Sequence, residues 1–185
     1  MNEIKTIALF GGSFDPPHIG HIEVVRAVLK LKEIDKVVIM PTFLNPFKEI
    51  SHASSELRLK WLKEIFLEFE SVEVSSYEVE QNKKTPTIQT VLHLLKKYDK
   101  VYLVIGADNL VSLHKWYRFE ELNRLVTIIV ATRDNILVDK EFLKLKIDVD
   151  ISSTHLREDI DIKKLPKKCA KEIEKFYKEH NAKKN

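Results

Sequence analysis

Glycine is scarce in this chain, four residues in 185, and all four fall in two short stretches that each follow an apolar, strand-like run. Gly11, Gly12 and Gly20 lie behind residues 4–10, and Gly106 follows residues 101–105. A chain so poor in glycine keeps it where the backbone turns tightly or lets a ligand come close. Cysteine is scarcer still: Cys169 stands alone, which excludes a disulfide framework and a cysteine metal cluster. It shares a helical stripe with Ile173, Phe176 and Tyr177 and reads as a packed apolar residue. No run approaches the roughly 18 apolar residues of a membrane span, and residues 4–10 are too few for a signal peptide, so no membrane partner and a cytoplasmic location are expected. A net charge of +3 is too small to argue for a nucleic-acid partner. The lysines gathered near the C-terminus alternate with Glu172, Glu174 and Glu179, the pattern of a solvated helix face.

What is present is an alternation of short β-branched runs with amphipathic segments. Strands are expected at 6–10, 36–40, 71–79, 100–105, 126–131 and 147–151. Helices are expected at 19–31, 55–68, 87–97, 119–124, 140–145, 154–160 and 167–180. Val37-Val38-Ile39-Met40 and the run 126–131 are apolar almost throughout, as in strands covered on both faces. The expectation is a single domain over 1–185: an α/β, Rossmann-like, doubly wound and mostly parallel sheet. Such sheets bind ligands beyond the carboxyl ends of their strands, at the point where strand order reverses. Both glycine stretches occupy such a position, and so does Ser152-Ser153-Thr154.

The stretch Gly11-Gly12-Ser13-Phe14-Asp15-Pro16-Pro17-His18-Ile19-Gly20-His21 is neither the G-x-G-x-x-G dinucleotide fingerprint nor a P-loop. Gly11-Gly12 allows a sharp turn after the first strand, and Pro16-Pro17 stiffens the entry to a helix. His18 and His21, three apart, share one face of its first turn, where free N–H groups and the helix dipole suit phosphate. Gly20 between them is read as clearing the approach. A core-satisfied histidine pair is the plainer alternative, and a zinc site would need further ligands that no nearby spacing supplies, so no metal ligands are assigned. Ser152-Ser153-Thr154-His155-Leu156-Arg157 puts hydroxyls at a helix start with a guanidinium one turn on, an anion cradle or an ordinary N-cap with a surface arginine.

The first stretch resembles the G-G-x-F-D-P-x-H-x-G-H signature of the H-x-G-H nucleotidyltransferase superfamily, and Ile151 to Arg157 resembles its I-S-S-T-x-x-R signature. In between, Val104 to Leu110 with His114-Lys115-Trp116-Tyr117 is similar to the I-I-G-x-D and tryptophan segments of bacterial nicotinate-nucleotide adenylyltransferases. Thr85-Pro86-Thr87-Ile88-Gln89-Thr90 is similar to their S-Y-T-x-x-T segment. The resemblance implies transfer of AMP from ATP to nicotinate mononucleotide, with Mg²⁺ bound to the ATP. It implies His18, His21 and Arg157 as catalytic residues. Gly11, Gly12, Ser13, Phe14, Gly106, Asp108, Ser152, Ser153 and Thr154 would bind ATP, and Thr87, Trp116 and Lys48 the mononucleotide. Asp15 is expected to fix its loop. A homodimer is the assembly the resemblance admits. Two positions depart from the pattern: Pro86 stands where an aromatic residue is common, and Thr42 and Phe47 replace an asparagine and a histidine in the loop after the second strand. Rival readings are a phosphopantetheine adenylyltransferase, nicotinamide mononucleotide as acceptor, and a nucleotide sensor without turnover.

Overall fold

Strands with no polar face need cover on both sides, and the computed structural model, which describes residues 5–132, 139–140, 142–147, 149 and 151–182, supplies it. Among the described residues there are six strands: β1 (Thr6–Gly12), β2 (Lys36–Pro41), β3 (Val72–Val74), β4 (Lys100–Gly106), β5 (Val126–Thr132) and β6 (Leu143–Lys146). They form one sheet in the order β3-β2-β1-β4-β5-β6, with every neighbouring pair parallel. This is the doubly wound order, and the direction of winding reverses between β1 and β4.

Period-two alternation divides the core. Ile7 and Leu9 of β1, with Val38 and Met40 of β2, face one layer, where Ile88 and Val91 of α4 (Thr87–Leu94) and Leu122 of α5 (Phe119–Leu125) cover them. Ala8 and Phe10, with Val37 and Ile39, face the other. There they meet Val25 of α1 (Ile19–Val28), Trp61 and Leu62 of α2 (Ser55–Phe66), and Ile173 and Tyr177 of α7 (Ala170–Ala182). Each aliphatic side chain buried in this way contributes about 1.5–3 kcal/mol relative to exposure. Cys169 is buried in the second layer, as its stripe predicts.

Three expected elements differ. The run 71–79 is strand only at Val72–Val74; the Ser75 hydroxyl accepts the Tyr77 N–H, and the chain turns into the short helix α3 (Tyr77–Glu80). The last strand is Leu143–Lys146, where a helix was expected over 140–145. Leu-Lys-Leu-Lys alternates with period two, which suits an edge strand with one covered face. Ile147 extends its pairing to Thr132 through one backbone bond, but the described residues of 147–151 form no strand. A 3₁₀ helix, Ala107–Lys115, was not foreseen.

Candidate active site

β1 and β4 pair side by side through Phe10 and Val104, so the residues after Gly12 and Gly106 open on the same edge of the sheet, at the reversal point. Leaving β1, the chain adopts a left-handed conformation at Phe14 (φ 49°), folding its ring back beneath the turn. The Phe14 ring lies edge-on to Phe10 and His21. At Gly12 a Cβ would stand 3.3 Å from the Phe14 ring, so the glycine makes room for this fold-back.

His18 is the N-cap of α1 and only 4% exposed. Its backbone N–H donates to His21 Nδ1 at 3.1 Å, and the two imidazoles stack with centroids 3.6 Å apart. Since Nδ1 of His21 accepts, its ring N–H is the one on Nε2. At Gly20 a Cβ would lie 2.9 Å from His18 Nδ1 and 3.0 Å from Cε1. The space that Gly20 leaves is therefore filled by the His18 ring, a correction to the expectation that it clears a path for a ligand.

The second signature docks directly on the first. Ser152 caps α6 (Ser153–Glu158) by accepting the Thr154 N–H at 3.2 Å. The Ser153 hydroxyl donates to the Pro16 carbonyl at 3.0 Å. Arg157 donates through Nη1 to the Asp15 carbonyl at 2.6 Å and through Nη2 to Thr154 Oγ1 at 3.0 Å. His18, His21, Ser152, Ser153, Thr154 and Arg157 thus sit on two segments joined by hydrogen bonds.

Asp15 fixes its loop, as expected. Its carboxylate, 3% exposed, accepts the backbone N–H groups of His52 (2.9 Å) and Ala53 (3.0 Å), the Ser51 hydroxyl and the Tyr177 hydroxyl. Burial alone would raise its pKa. The bonds from Tyr177, His52 and Ala53 and the Arg58 charge outweigh that and hold it below the ordinary value. Tyr177, desolvated and facing that anion, is pushed far up and stays protonated.

Arg58 was missed. It is fully buried and donates to four carbonyls: Ala53 (3.1 Å), Ser13 (2.5 Å), Thr42 (2.8 Å) and Phe43 (2.9 Å). One guanidinium therefore ties the loops after β1 and β2 to the start of α2. Burial lowers its pKa and the nearby Asp15 charge opposes this; a guanidinium remains a cation at neutral pH. A signal existed in the sequence, because Arg58 stands one turn before Leu62 on the buried stripe of α2.

Lys48 keeps solvent contact, but its ammonium lies within electrostatic reach of the site. Partial burial, then the Arg157 charge, lower its pKa, against the pull of Asp15 and Asp108. Asp108 is exposed after β4, and its carboxylate occupies the space where a Gly106 side chain would be. Asn109 Nδ2 holds it at 3.3 Å. Thr87 is the first residue of α4, half-buried behind Pro86. Trp116 packs, half-buried, against the layer that contains Ile88, and its buried Nε1 has no hydrogen-bond partner among the described residues. One turn beyond Thr87, the fully buried Thr90 donates to Glu78 Oε1 at 2.5 Å. Glu78 is 5% exposed, and burial raises its pKa to about 7.

Among the described residues, no group of three or more histidine, cysteine or carboxylate side chains could hold a metal ion, and no helix is long and apolar enough to cross a membrane.

Comparison with known proteins matches residues 9–159 to the cytidylyltransferase-like family model. The chain is 62% identical over 180 residues to a probable nicotinate-nucleotide adenylyltransferase of Sulfurimonas denitrificans, covering 97% of this chain and 99% of that one. It is 47% identical to the protein of the same name from Campylobacter fetus, covering 95% and 98%. Among solved structures it is similar to the Plasmodium falciparum nicotinic acid mononucleotide adenylyltransferase complexed with NaAD. That match has a TM-score of 0.70 and 22% identity over 86% of this chain and 87% of that one, a likeness of fold.

Proposed function

The chain belongs to the nicotinate-nucleotide adenylyltransferase family, within the cytidylyltransferase-like proteins, and on that premise we propose how its residues carry out the reaction. The activity is transfer of the AMP moiety of ATP to nicotinate mononucleotide, giving nicotinate adenine dinucleotide and pyrophosphate, in NAD biosynthesis. A phosphate oxygen of the mononucleotide attacks the α-phosphorus, a new P–O bond forms, and the bond to the β-phosphate oxygen breaks as pyrophosphate leaves. No covalent enzyme intermediate is needed. The protein's task is to align the reactants and to neutralise charge on the phosphate oxygens.

His21, with its proton on Nε2, donates to the α- and β-phosphates, and His18, fixed beneath it, completes the pair. Arg157 takes the leaving pyrophosphate, and Ser152, Ser153 and Thr154 hold the triphosphate tail. Gly11, Gly12, Ser13 and Phe14 line the phosphate path; Gly106 gives Asp108 the room to accept ribose hydroxyls. Thr87 at the start of α4 receives the nicotinate carboxylate, Trp116 offers its face to the pyridinium ring, and Lys48 reaches the phosphates. The observation that supports this assignment most is the 2.6 Å bond from Arg157 to the Asp15 carbonyl, which joins the two signatures.

Magnesium bound to the ATP phosphates would supply charge neutralisation there. Asp15 is occupied by four protein donors and offers no open ligand, so the residues suit a metal carried by the nucleotide rather than caged by the protein. The same reading makes 1–185 one domain of a cytoplasmic enzyme without a nucleic-acid partner, and admits a homodimer.

The test is pyrophosphate release with Mg-ATP and, in parallel, nicotinate mononucleotide, nicotinamide mononucleotide or phosphopantetheine. Strong preference for the first is expected. Preference for the amide refutes the anion pocket at Thr87, and turnover only with phosphopantetheine overturns the acceptor assignment.

A further inference from the structure

Tyr177 and Asn181 are one turn apart on α7, on the same face, and each bonds one partner of the contact that joins the two signatures. The Tyr177 hydroxyl donates to the Asp15 carboxylate. Asn181 Nδ2 donates to the Arg157 carbonyl at 2.7 Å. Between them, Arg157 Nη1 donates to the Asp15 carbonyl. The circuit is closed: α7 grips the residue that presents the acceptor and the residue that presents the donor.

We propose that Tyr177 and Asn181 are positioning residues that clamp the Arg157 guanidinium against the loop after β1, making the C-terminal helix part of the catalytic apparatus. Such a clamp matters for turnover only if Arg157 takes the leaving pyrophosphate, and it rests on that role.

Packing alone does not require these polar groups. Tyr177 is buried against Trp61 and Phe176, contacts a phenylalanine would make equally well. A buried hydroxyl needs an acceptor, and here the acceptor is a carboxylate 162 residues away. Asn181 is half-buried near the end of its helix, and its amide goes to the backbone of Arg157. An arginine side chain is long and carries much rotamer entropy. With its backbone and its guanidinium fork both fixed, little freedom remains to lose on meeting pyrophosphate.

The experiment compares Tyr177→Phe, Asn181→Ala and the double variant, each in the wild-type and Arg157→Lys backgrounds, by steady-state kinetics and melting temperature. In the wild-type background, the double variant should lose at least ~10-fold in kcat, because a misplacement of about 1 Å can cost 10²-fold. KM for the mononucleotide should hardly move. In the Arg157→Lys background the same changes should have little further effect on kcat, since the fork they position is gone. Equal losses in both backgrounds, or unchanged kcat in the wild-type background, overturn the clamp while leaving Arg157 in its role. Near-normal turnover of Arg157→Lys and Arg157→Ala alike overturns the role of Arg157 and the clamp together. Should Tyr177→Phe fold poorly, Asn181→Ala leaves the core untouched and carries the test alone, through the same two backgrounds.

Discussion

Gly20 and His18 are in such close contact that any side chain at position 20 would meet the imidazole 2.9 Å from Nδ1. A methyl there must push the ring away, because separations this short are not tolerated between unbonded atoms. His18 in turn is stacked on His21, so the displacement passes to the second ring. Gly20→Ala is expected to fold and to lose at least ~10-fold in kcat through misplaced phosphate donors. Steady-state kinetics beside a far-UV spectrum check this, and normal kcat in a folded variant would refute the contact's importance.

His21→Ala should lower turnover at least ~10²-fold, the scale of losing one preorganised donor to developing charge. Single-turnover measurement of pyrophosphate formation isolates this step. A mutant that keeps near-normal turnover removes His21 from the mechanism.

Arg58 presents a different kind of dependence, since it serves four carbonyls and has no part in holding substrate. Replacing it by methionine keeps much of the volume and leaves those carbonyls without a donor. Each bond from a charged group contributes about 1.5–3 kcal/mol, so a loss of at least ~3 kcal/mol is expected after relaxation. Urea unfolding measures it; a change under about 1 kcal/mol would show that water replaces the guanidinium at little cost.

Glu78 gives stability a slope with pH. Burial raises its folded pKa to about 7, above the ordinary 4.5, so the folded chain holds this proton more tightly than the unfolded chain. Stability from this group is full below pH 4.5 and is lost as pH rises through about 7. The difference amounts to about 3 kcal/mol across that window. Glu78→Gln should flatten the slope and be more stable than the parent at pH 8. Unfolding midpoints at pH 5.5 and pH 8 decide the matter, and a parallel fall in both proteins would exclude Glu78 as the source. Asp15 acts in the opposite direction: its pKa is depressed, so the stability it contributes is lost only as pH falls below the ordinary carboxylate range.

The sheet and the two family signatures were legible because each is carried by a local pattern. Continuous apolar runs announce strands covered on both faces, and β1, β2, β4 and β5 appear where they were expected. The edges were harder to read. β3 is only the half-buried Val-Glu-Val, and β6 is largely exposed, its leucines alternating with lysine. The stripes of α2 and α7 mark Arg58 and Tyr177 as buried, but their site roles were hidden for another reason. The partners of Arg58 reach as far as Ser13, 45 positions away, that of Tyr177 lies 162 away, and no spacing rule links a buried guanidinium to carbonyls on loops not yet placed. Gly20 was recognised as necessary, but only the structure identifies the His18 ring as what fills its space.

The bonds that tie the two signatures and α7 together are long-range, 142 positions from Arg157 to Asp15 and 162 from Tyr177 to Asp15. During synthesis the N-terminal strands emerge first and can pair as they appear. A growing polypeptide therefore holds the glycine turn and both histidines long before Arg157 and α7 can dock on them. On the proposed roles, nucleotide would stabilise the nascent chain only after α7 has emerged and docked.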